Sequence, residues 1–174
     1  RLLPPDACLL QAVVEFPVAL PGGTRHSQND VFALFSGTEG LTVCMVEAKH
    51  NEPFGPTLAE WLSRPSSGKD ARLTFLCDTL GLDRTALPMS VRYQLLHRTV
   101  SAVVTARAYH AVQAMMLVQS FSPNDRWFDD YAAFVALFGA QAHKDQTVAL
   151  RIPADIDLTV GWARAPFRTS HTDH

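Results

Sequence analysis

Residues 41–49 read LTVCMVEAK, an apolar run that ends in a glutamate and a lysine. Successive side chains of a strand point to opposite faces, so Glu47 and Lys49 share one face. The run is apolar on both faces before Glu47, which is typical of a strand in the middle of a sheet. One interpretation of the charged end is a solvated surface whose ion pairs contribute almost nothing. Because a buried strand rarely ends in charge without a reason, we favour a functional site.

A second short apolar run, NDVFALF, precedes this strand, and SGTEG connects the two. A glycine-bearing connection of this length is typical of antiparallel strands. A turn centred near Thr38 places Asp30 opposite Val46 or Glu47. The hairpin therefore predicts one carboxylate from each strand at the same end, with the Lys49 amine beside them.

Two carboxylates this close repel each other unless a cation lies between them. Mg²⁺ typically binds one or two carboxylates, keeps several waters and completes its shell with substrate phosphate. Such an ion lowers the pKa of a bound water and neutralises charge in the transition state of phosphodiester cleavage. We therefore predict a Mg²⁺ site, with Mn²⁺ as a substitute, held by Asp30 and Glu47. Lys49 would position or deprotonate the attacking water, or stabilise the developing charge.

Asp30 followed on the next strand by Glu47-Ala48-Lys49 resembles the D…(D/E)xK signature of the PD-(D/E)XK nuclease superfamily. The wider strings SQND and VEAKHNEPFGP, with Glu60-Trp61 after them, are similar to a group of mostly uncharacterised bacterial members. The resemblance covers most of the chain, from about residue 14 to residue 162.

The resemblance implies an α/β fold with a restriction-endonuclease-like core, in which a mixed central β-sheet is flanked by helices. It also implies that Asp30 and Glu47 are metal ligands, that the backbone carbonyl of Ala48 is a further ligand, and that Lys49 is the catalytic lysine. Asn29 stands where the pattern has a proline. Many members carry a glutamate on a helix before the first strand. Only one glutamate, Glu15, precedes Asp30 here, so whether an upstream segment is missing stays open.

Two residues beside the strand ends are predicted to support the site. Gln28 is two residues from Asp30 and so on the same face, where its amide would hold a water or a phosphate. Glu52 follows the Lys49 strand closely enough to act as an extra metal ligand, or as a carboxylate that contacts the metal ligands without binding the metal itself. A surface amide is the alternative for Gln28.

The predicted helix at residues 90–109 contains no acid. In the superfamily the helix after the ExK strand borders the active site. Gln94 and Arg98 are one turn apart, with His97 beside them, and the three are candidates for binding substrate phosphate. A polar helix face that only meets water is the alternative.

Periodicity and breakers predict the remaining elements. We expect a strand at residues 15–20 after a segment that could be helical, a short helix from Pro56 or Thr57 to Trp61, and a polar loop at residues 64–70. We further expect a helix ending at Gly81, a buried strand at residues 111–121, a helix capped by Ser122 or Asn124 that ends at Gly139, and a hairpin of residues 147–152 and 157–163.

Length and composition predict one domain over residues 1–174, with a loose tail from about residue 167. The net charge of −2 and pI near 6.4 do not indicate the basic surface that is usual for nucleic-acid binding. Three cysteines, Cys8, Cys44 and Cys77, show no CxxC spacing and are predicted to be reduced core residues of a cytoplasmic protein. No apolar run reaches the roughly 18 residues of a membrane span, so no membrane partner is expected.

We therefore predict a metal-dependent phosphodiester hydrolase, a nuclease that acts on DNA. A catalytically inactive nuclease-like binding module is the alternative, and the mildly acidic charge favours it. An enzyme for another phosphate-containing substrate is the third candidate. A homodimer is left open. The signatures GxGxxG, P-loop, HExxH and GxSxG are absent from the sequence.

Overall fold

The computed structural model describes residues 2–165, which form one six-stranded sheet with four α-helices. The strands are β1 (Cys8–Val18), β2 (Ser27–Gly37), β3 (Gly40–Lys49), β4 (Gln113–Ser120), β5 (Gln146–Leu150) and β6 (Asp157–Arg164). The helices are α1 (Leu58–Leu62), α2 (Ser67–Leu80), α3 (Tyr93–Ala108) and α4 (Phe128–Ala136).

The sheet has the order β1-β2-β3-β4-β6-β5 and is mixed. β1, β2 and β3 form an antiparallel meander, whereas β3, β4 and β6 are parallel and β5 is antiparallel to β6. Parallel neighbours need a crossover, and α3 lies within the one from β3 to β4. α3 packs on β2, β3 and β4, and α2 and α4 pack on α3. The prediction of an α/β fold with a mixed central sheet and flanking helices is confirmed.

The β2–β3 hairpin has the predicted register. Gly37 pairs with Gly40, so the turn falls at Thr38 and Glu39, and the last assigned pair is Val31 with Val46. One further position along the same register would set Asp30 level with Glu47. β3 lies inside the sheet between β2 and β4, as its two apolar faces predict.

Two predictions in the first half of the chain are wrong. The segment that could be helical before residue 15 belongs to β1, which begins at Cys8. The predicted polar loop at residues 64–70 contains the first turn of α2, because the Ser66 hydroxyl accepts the Lys69 amide and caps that helix.

The starts of two later helices also differ from the prediction. α3 begins at Tyr93 rather than residue 90, because Arg92 forms a β-bridge with Thr57. α4 begins at Phe128 after Trp127, whose φ is 70°, and not at a cap from Ser122 or Asn124. The Ser122 hydroxyl accepts the Arg126 amide instead, within the preceding turn.

The cysteines divide between core and surface. Cys44 and Cys77 are buried as predicted, whereas Cys8 is exposed on the edge strand β1, so its prediction as a core residue is wrong. Within residues 2–165, no helix is long and apolar enough to span a membrane. The predicted loose tail from about residue 167 lies outside the described residues.

Candidate functional site

The carboxyl end of β3 carries a buried ion pair. Glu47 and Lys49 are only 3% and 4% exposed. Lys49 Nζ donates to Glu47 Oε1 at 2.6 Å and lies 5.3 Å from the centre of the Phe54 ring. The strand alternation that puts both side chains on one face, with α3 packed across it, accounts for this burial.

α3 supplies two further donors to the same carboxylate. Gln94 Nε2 donates to Glu47 Oε1 at 2.6 Å, and Arg98 Nε donates to Glu47 Oε2 at 2.5 Å. Gln94 and Arg98 are four residues apart and so lie on one face of the helix. Both oxygens of Glu47 are therefore engaged, and two cations compensate its one negative charge. We call Glu47, Lys49, Gln94 and Arg98 the Glu47 cluster.

Asp30 reaches the neighbouring backbone of β3. Its Oδ2 accepts the backbone amide of Ala48 at 2.6 Å. The β2–β3 ladder ends at Val31, so this carboxylate oxygen occupies the place where a backbone carbonyl would continue the pairing. Oδ1 has no hydrogen-bond partner among residues 2–165 and is available to a ligand.

Ser27 and His97 extend the Glu47 cluster on the β2 side. Arg98 Nη1 donates to Ser27 Oγ at 2.9 Å, and Ser27 Oγ lies 2.8 Å from His97 Nδ1. Because Arg98 can only donate, the Ser27 proton is free to bind Nδ1, and a neutral His97 ring then carries its proton on Nε2. Burial lowers the pKa of His97 well below 6.5, and the charges of Arg98 and Arg72 lower it further. His97 is therefore neutral at physiological pH.

Asn29 is fully buried at the position where the nuclease pattern has a proline. Its Nδ2 donates to the carbonyls of Phe16 and Ser27, each at 3.1 Å. Its Oδ1 is buried and has no partner among the described residues. Neither Ser27 nor Asn29 was predicted, although their spacing of two residues is the signal that would have paired them on one face.

The face that β2 buries changes along the strand, although the pairing with β1 keeps one register there. Glu15 in β1 has a φ of 54°, in the left-handed region. On one side of it Val13 pairs with Phe32, and on the other side Phe16 pairs with Asn29. Phe32 and Asn29 are both buried despite their odd spacing, so simple alternation fails at this point.

Two predicted supporting residues lie outside the Glu47 cluster. Gln28 is exposed, and its amide donates to the carbonyl of Glu15. Glu52 is exposed in the turn after β3 and accepts the backbone amides of His50 and Asn51 at 3.4 and 3.1 Å. The structure therefore brings together Asp30, Glu47, Lys49, Gln94, His97 and Arg98, and leaves Gln28 and Glu52 in local contacts.

The donor set suits one kind of metal ion. Within residues 2–165, no three His, Cys, Asp or Glu side chains form a group that could enclose an ion. Mg²⁺ needs only one or two carboxylates, because water and substrate phosphate supply its other ligands. Such an ion would take Oδ1 of Asp30 and, once one of its donors is displaced, an oxygen of Glu47. An ion enclosed by protein side chains alone does not fit.

Together these features define an α/β protein whose mixed sheet holds a buried carboxylate between two cations at the end of a central strand. Residues 3–167 match a family model described as Domain of unknown function (DUF6946), and the chain belongs to that family. The chain matches no curated protein and no solved structure.

Proposed function

We propose that this protein is a metal-dependent phosphodiester hydrolase, a DNA nuclease of the PD-(D/E)XK type. The supporting observation is the Glu47 cluster. A glutamate and a lysine two residues apart on a central strand meet Gln94 and Arg98 from the crossover helix, and Asp30 lies on the adjacent strand. Residues from three elements are thus assembled around the motif that the sequence resemblance singles out.

Each residue has a role that follows from its chemistry. Asp30 and Glu47, with the backbone carbonyl of Ala48, would hold Mg²⁺, which supplies a lowered pKa for a bound water and neutralises phosphate charge. Lys49 Nζ donates hydrogen bonds from a buried position, so it can orient the attacking water or stabilise the developing negative charge. Arg98 presents a second cation to the same region.

The saturated carboxylate of Glu47 implies that the metal binds weakly without substrate. Lys49 and Gln94 share Oε1 and Arg98 holds Oε2, so a metal ion must displace at least one of these donors. A substrate phosphate carries negative charge that Lys49 and Arg98 can bind in place of Glu47. Substrate therefore favours release of the carboxylate to the ion.

Plasmid cleavage in Mg²⁺ and Mn²⁺ tests the proposal. Wild-type protein should nick or linearise the plasmid, and Asp30→Asn and Glu47→Gln should reduce cleavage to background while near-ultraviolet circular dichroism stays native. Glu39→Gln, in the exposed turn of the same hairpin, is the matched control and should cleave normally. Cleavage retained by either site variant would contradict the assignment.

The same geometry supports a second candidate, a nuclease-like module that binds nucleic acid without cleaving it. Its specific support is that Glu47 is already compensated by Lys49 and Arg98 without any ion. In that case affinity for DNA should fall steeply with salt, and no cleavage should occur with either metal. Cleavage that disappears in Glu47→Gln would exclude this candidate.

A further inference from the structure

A cavity of about 550 Å³ opens next to the Glu47 cluster. Small-molecule sites usually have volumes of roughly 300–1,000 Å³. The cavity lies between the loop before β2, the chain around α1, the start of α2 and the first turns of α3. The lining residues that matter below are Arg25, Lys69, Arg72, Trp61, Tyr93 and Gln94.

The lining of this cavity is cationic. It includes Arg25, Lys69 and Arg72, and none of the lining residues is an aspartate or a glutamate. None of these three cations forms an ion pair within residues 2–165; the ion pairs there involve other basic residues. Several uncompensated cations around one cavity produce a positive potential that favours an anionic ligand.

Contacts hold Arg72 and the backbone of the loop that carries Arg25 in place. Arg72 is only 6% exposed, and its guanidinium donates to the carbonyls of Leu20, Pro21 and Arg25. Gly22 has a φ of +85°, and a Cβ added there would clash with the carbonyl oxygen of Gly68. The loop that carries Arg25 is therefore packed tightly against the first turn of α2.

Two aromatic side chains of the lining lie beside Lys69. The rings of Trp61 and Tyr93 stack with their centroids 4.0 Å apart, and Lys69 Nζ lies 5.4 Å from the centre of the Trp61 ring. Lys69 Nζ donates to the carbonyls of Trp61 and Arg64, which leaves one of its three protons for a ligand. The cavity therefore combines a hydrogen-bond donor for phosphate with the two aromatic side chains.

The cavity is continuous with the Glu47 cluster through shared residues. Gln94 lines the cavity and donates to Glu47, while its buried Oε1 has no partner in the described chain. His97 and Ser27 also line the cavity and connect it to Arg98. A ligand in the cavity is therefore held next to the residues proposed to act on phosphate.

We propose that this cavity binds one unpaired nucleotide of a single-stranded nucleic acid, an inference that rests on the proposed nuclease function and specifies its substrate. Arg25 and Lys69 bind the phosphate, the base lies along the Trp61 and Tyr93 side, and Gln94 Oε1 accepts a hydrogen bond from the nucleotide. A base in a duplex is paired and stacked, so it would first have to leave the helix to enter this cavity.

Fluorescence anisotropy with a 5′-labelled dodecathymidylate and its duplex, in EDTA to prevent cleavage, tests the proposal. Wild-type protein should bind the single strand roughly tenfold or more tightly than the duplex. Arg25→Gln should weaken single-strand binding roughly tenfold and reduce the slope of log affinity against log salt by about 0.7, the value for one lost phosphate contact. Arg25 makes no side-chain hydrogen bond in the described chain, so this variant should fold normally.

Arg151→Gln is the matched control, because Arg151 is also exposed and unpaired within residues 2–165 but lies outside the cavity. Equal binding by Arg25→Gln and Arg151→Gln, or equal affinity of wild type for single strand and duplex, would overturn the proposal. Glu47→Gln should bind the single strand at least as well as wild type and cleave nothing. If wild type binds the single strand selectively but cleaves nothing, the cavity assignment stands and the nuclease function is refuted. If wild type cleaves but binds single strand and duplex equally, only the cavity assignment is refuted.

Discussion

Arg98 on α3 donates its Nε–H to Oε2 of Glu47 on β3 at 2.5 Å, across 51 positions of the chain. Both side chains are almost fully buried. Removing one member of a buried ion pair leaves the other charge without compensation, whereas replacing both members by neutral groups is much less costly. The pair therefore couples the crossover helix to the central strand, and its contribution can be measured.

Arg98→Met is expected to lower the free energy of unfolding by roughly 3 kcal/mol, at the low end for a buried pair because Lys49 still compensates Glu47. The double variant Glu47→Gln/Arg98→Met should lose less than the sum of the two single variants. Urea denaturation of the four proteins measures this coupling.

The matched control for that cycle is the exposed pair Arg84 and Asp70, whose side chains are 40% and 65% exposed. Arg84→Gln should change the free energy of unfolding by less than about 1 kcal/mol, because solvent screens exposed ion pairs. Similar losses for Arg84→Gln and Arg98→Met would show that burial of the Glu47 pair contributes nothing.

Periodicity in the sequence was sufficient to predict the β2–β3 hairpin, its register and the buried strand β4, since these depend on local alternation and a glycine-bearing turn. It could not locate Ser27 and Asn29 in the core. Alternation from the buried Phe32 and Leu34 points Gln28 and Asp30 inward, whereas Ser27 and Asn29 are the buried residues at that end of β2.

The roles of individual site residues also depend on tertiary contacts, which the sequence alone does not reveal. The family resemblance predicted the helix of Gln94 and Arg98 beside the site, with both residues as candidates for binding substrate phosphate, and in the structure both donate to Glu47. Their hydrogen bonds to Glu47 depend on how α3 crosses β3. The spacing of residues along one helix cannot predict that crossing. Gln28 and Glu52 were chosen from proximity in sequence, and each is instead engaged by nearby backbone groups.

The half-buried His97 predicts a loss of stability in acid. Its pKa in the folded protein is lowered below the ordinary value of 6.5, chiefly by burial. At a pH between the lowered pKa of the folded protein and 6.5, His97 of the unfolded chain binds a proton that the folded protein does not. The contribution of His97 to the free energy of unfolding is therefore fully present above about pH 6.5 and decreases as the pH falls. The decrease should approach, and not exceed, about 1.4 kcal/mol per pH unit for this one group.

Urea unfolding of wild type and His97→Asn at pH 7.5 and pH 5.5 measures this contribution. The variant should lose distinctly less stability than wild type between the two values. His143→Asn, which removes an exposed histidine, should behave like wild type. An identical pH dependence in wild type and His97→Asn would show that His97 does not resist protonation in the folded state.

The three cysteines should differ sharply in reactivity. Burial raises the pKa of Cys44 to about 12 and also raises the pKa of Cys77, whereas Cys8 is exposed on β1. The thiolate is the reactive form, so only Cys8 should react promptly with Ellman's reagent in native protein, and all three should react in guanidinium chloride. Cys8→Ser should abolish the fast native reaction; persistence of that reaction would mean that Cys44 or Cys77 is accessible.

Lys49 should oppose metal binding at Glu47 even though both belong to the proposed catalytic site. Its ammonium group lies 2.6 Å from Oε1, one of the two oxygens that a metal ion could use, and its positive charge repels a divalent cation. A single charge within about 4–6 Å commonly shifts a proton affinity by one to three pKa units. Removing this charge should therefore raise the affinity for Mn²⁺ roughly tenfold.

Titration of Mn²⁺, followed by its electron paramagnetic resonance signal, compares Lys49→Met with wild type in the absence of nucleic acid. Lys144→Met is the matched control, since Lys144 pairs with Asp125 elsewhere in the chain. We expect tighter Mn²⁺ binding with loss of cleavage in Lys49→Met, and no change in Lys144→Met. Arg98→Met should show the same gain, because it frees Oε2, whereas Glu47→Gln should abolish the gain in either background. If Mn²⁺ binds Glu47, Lys49 and Arg98 compete with it for that carboxylate, and removing either one must raise the Mn²⁺ affinity. Unchanged Mn²⁺ affinity in both Lys49→Met and Arg98→Met would therefore mean that Glu47 is not a metal ligand.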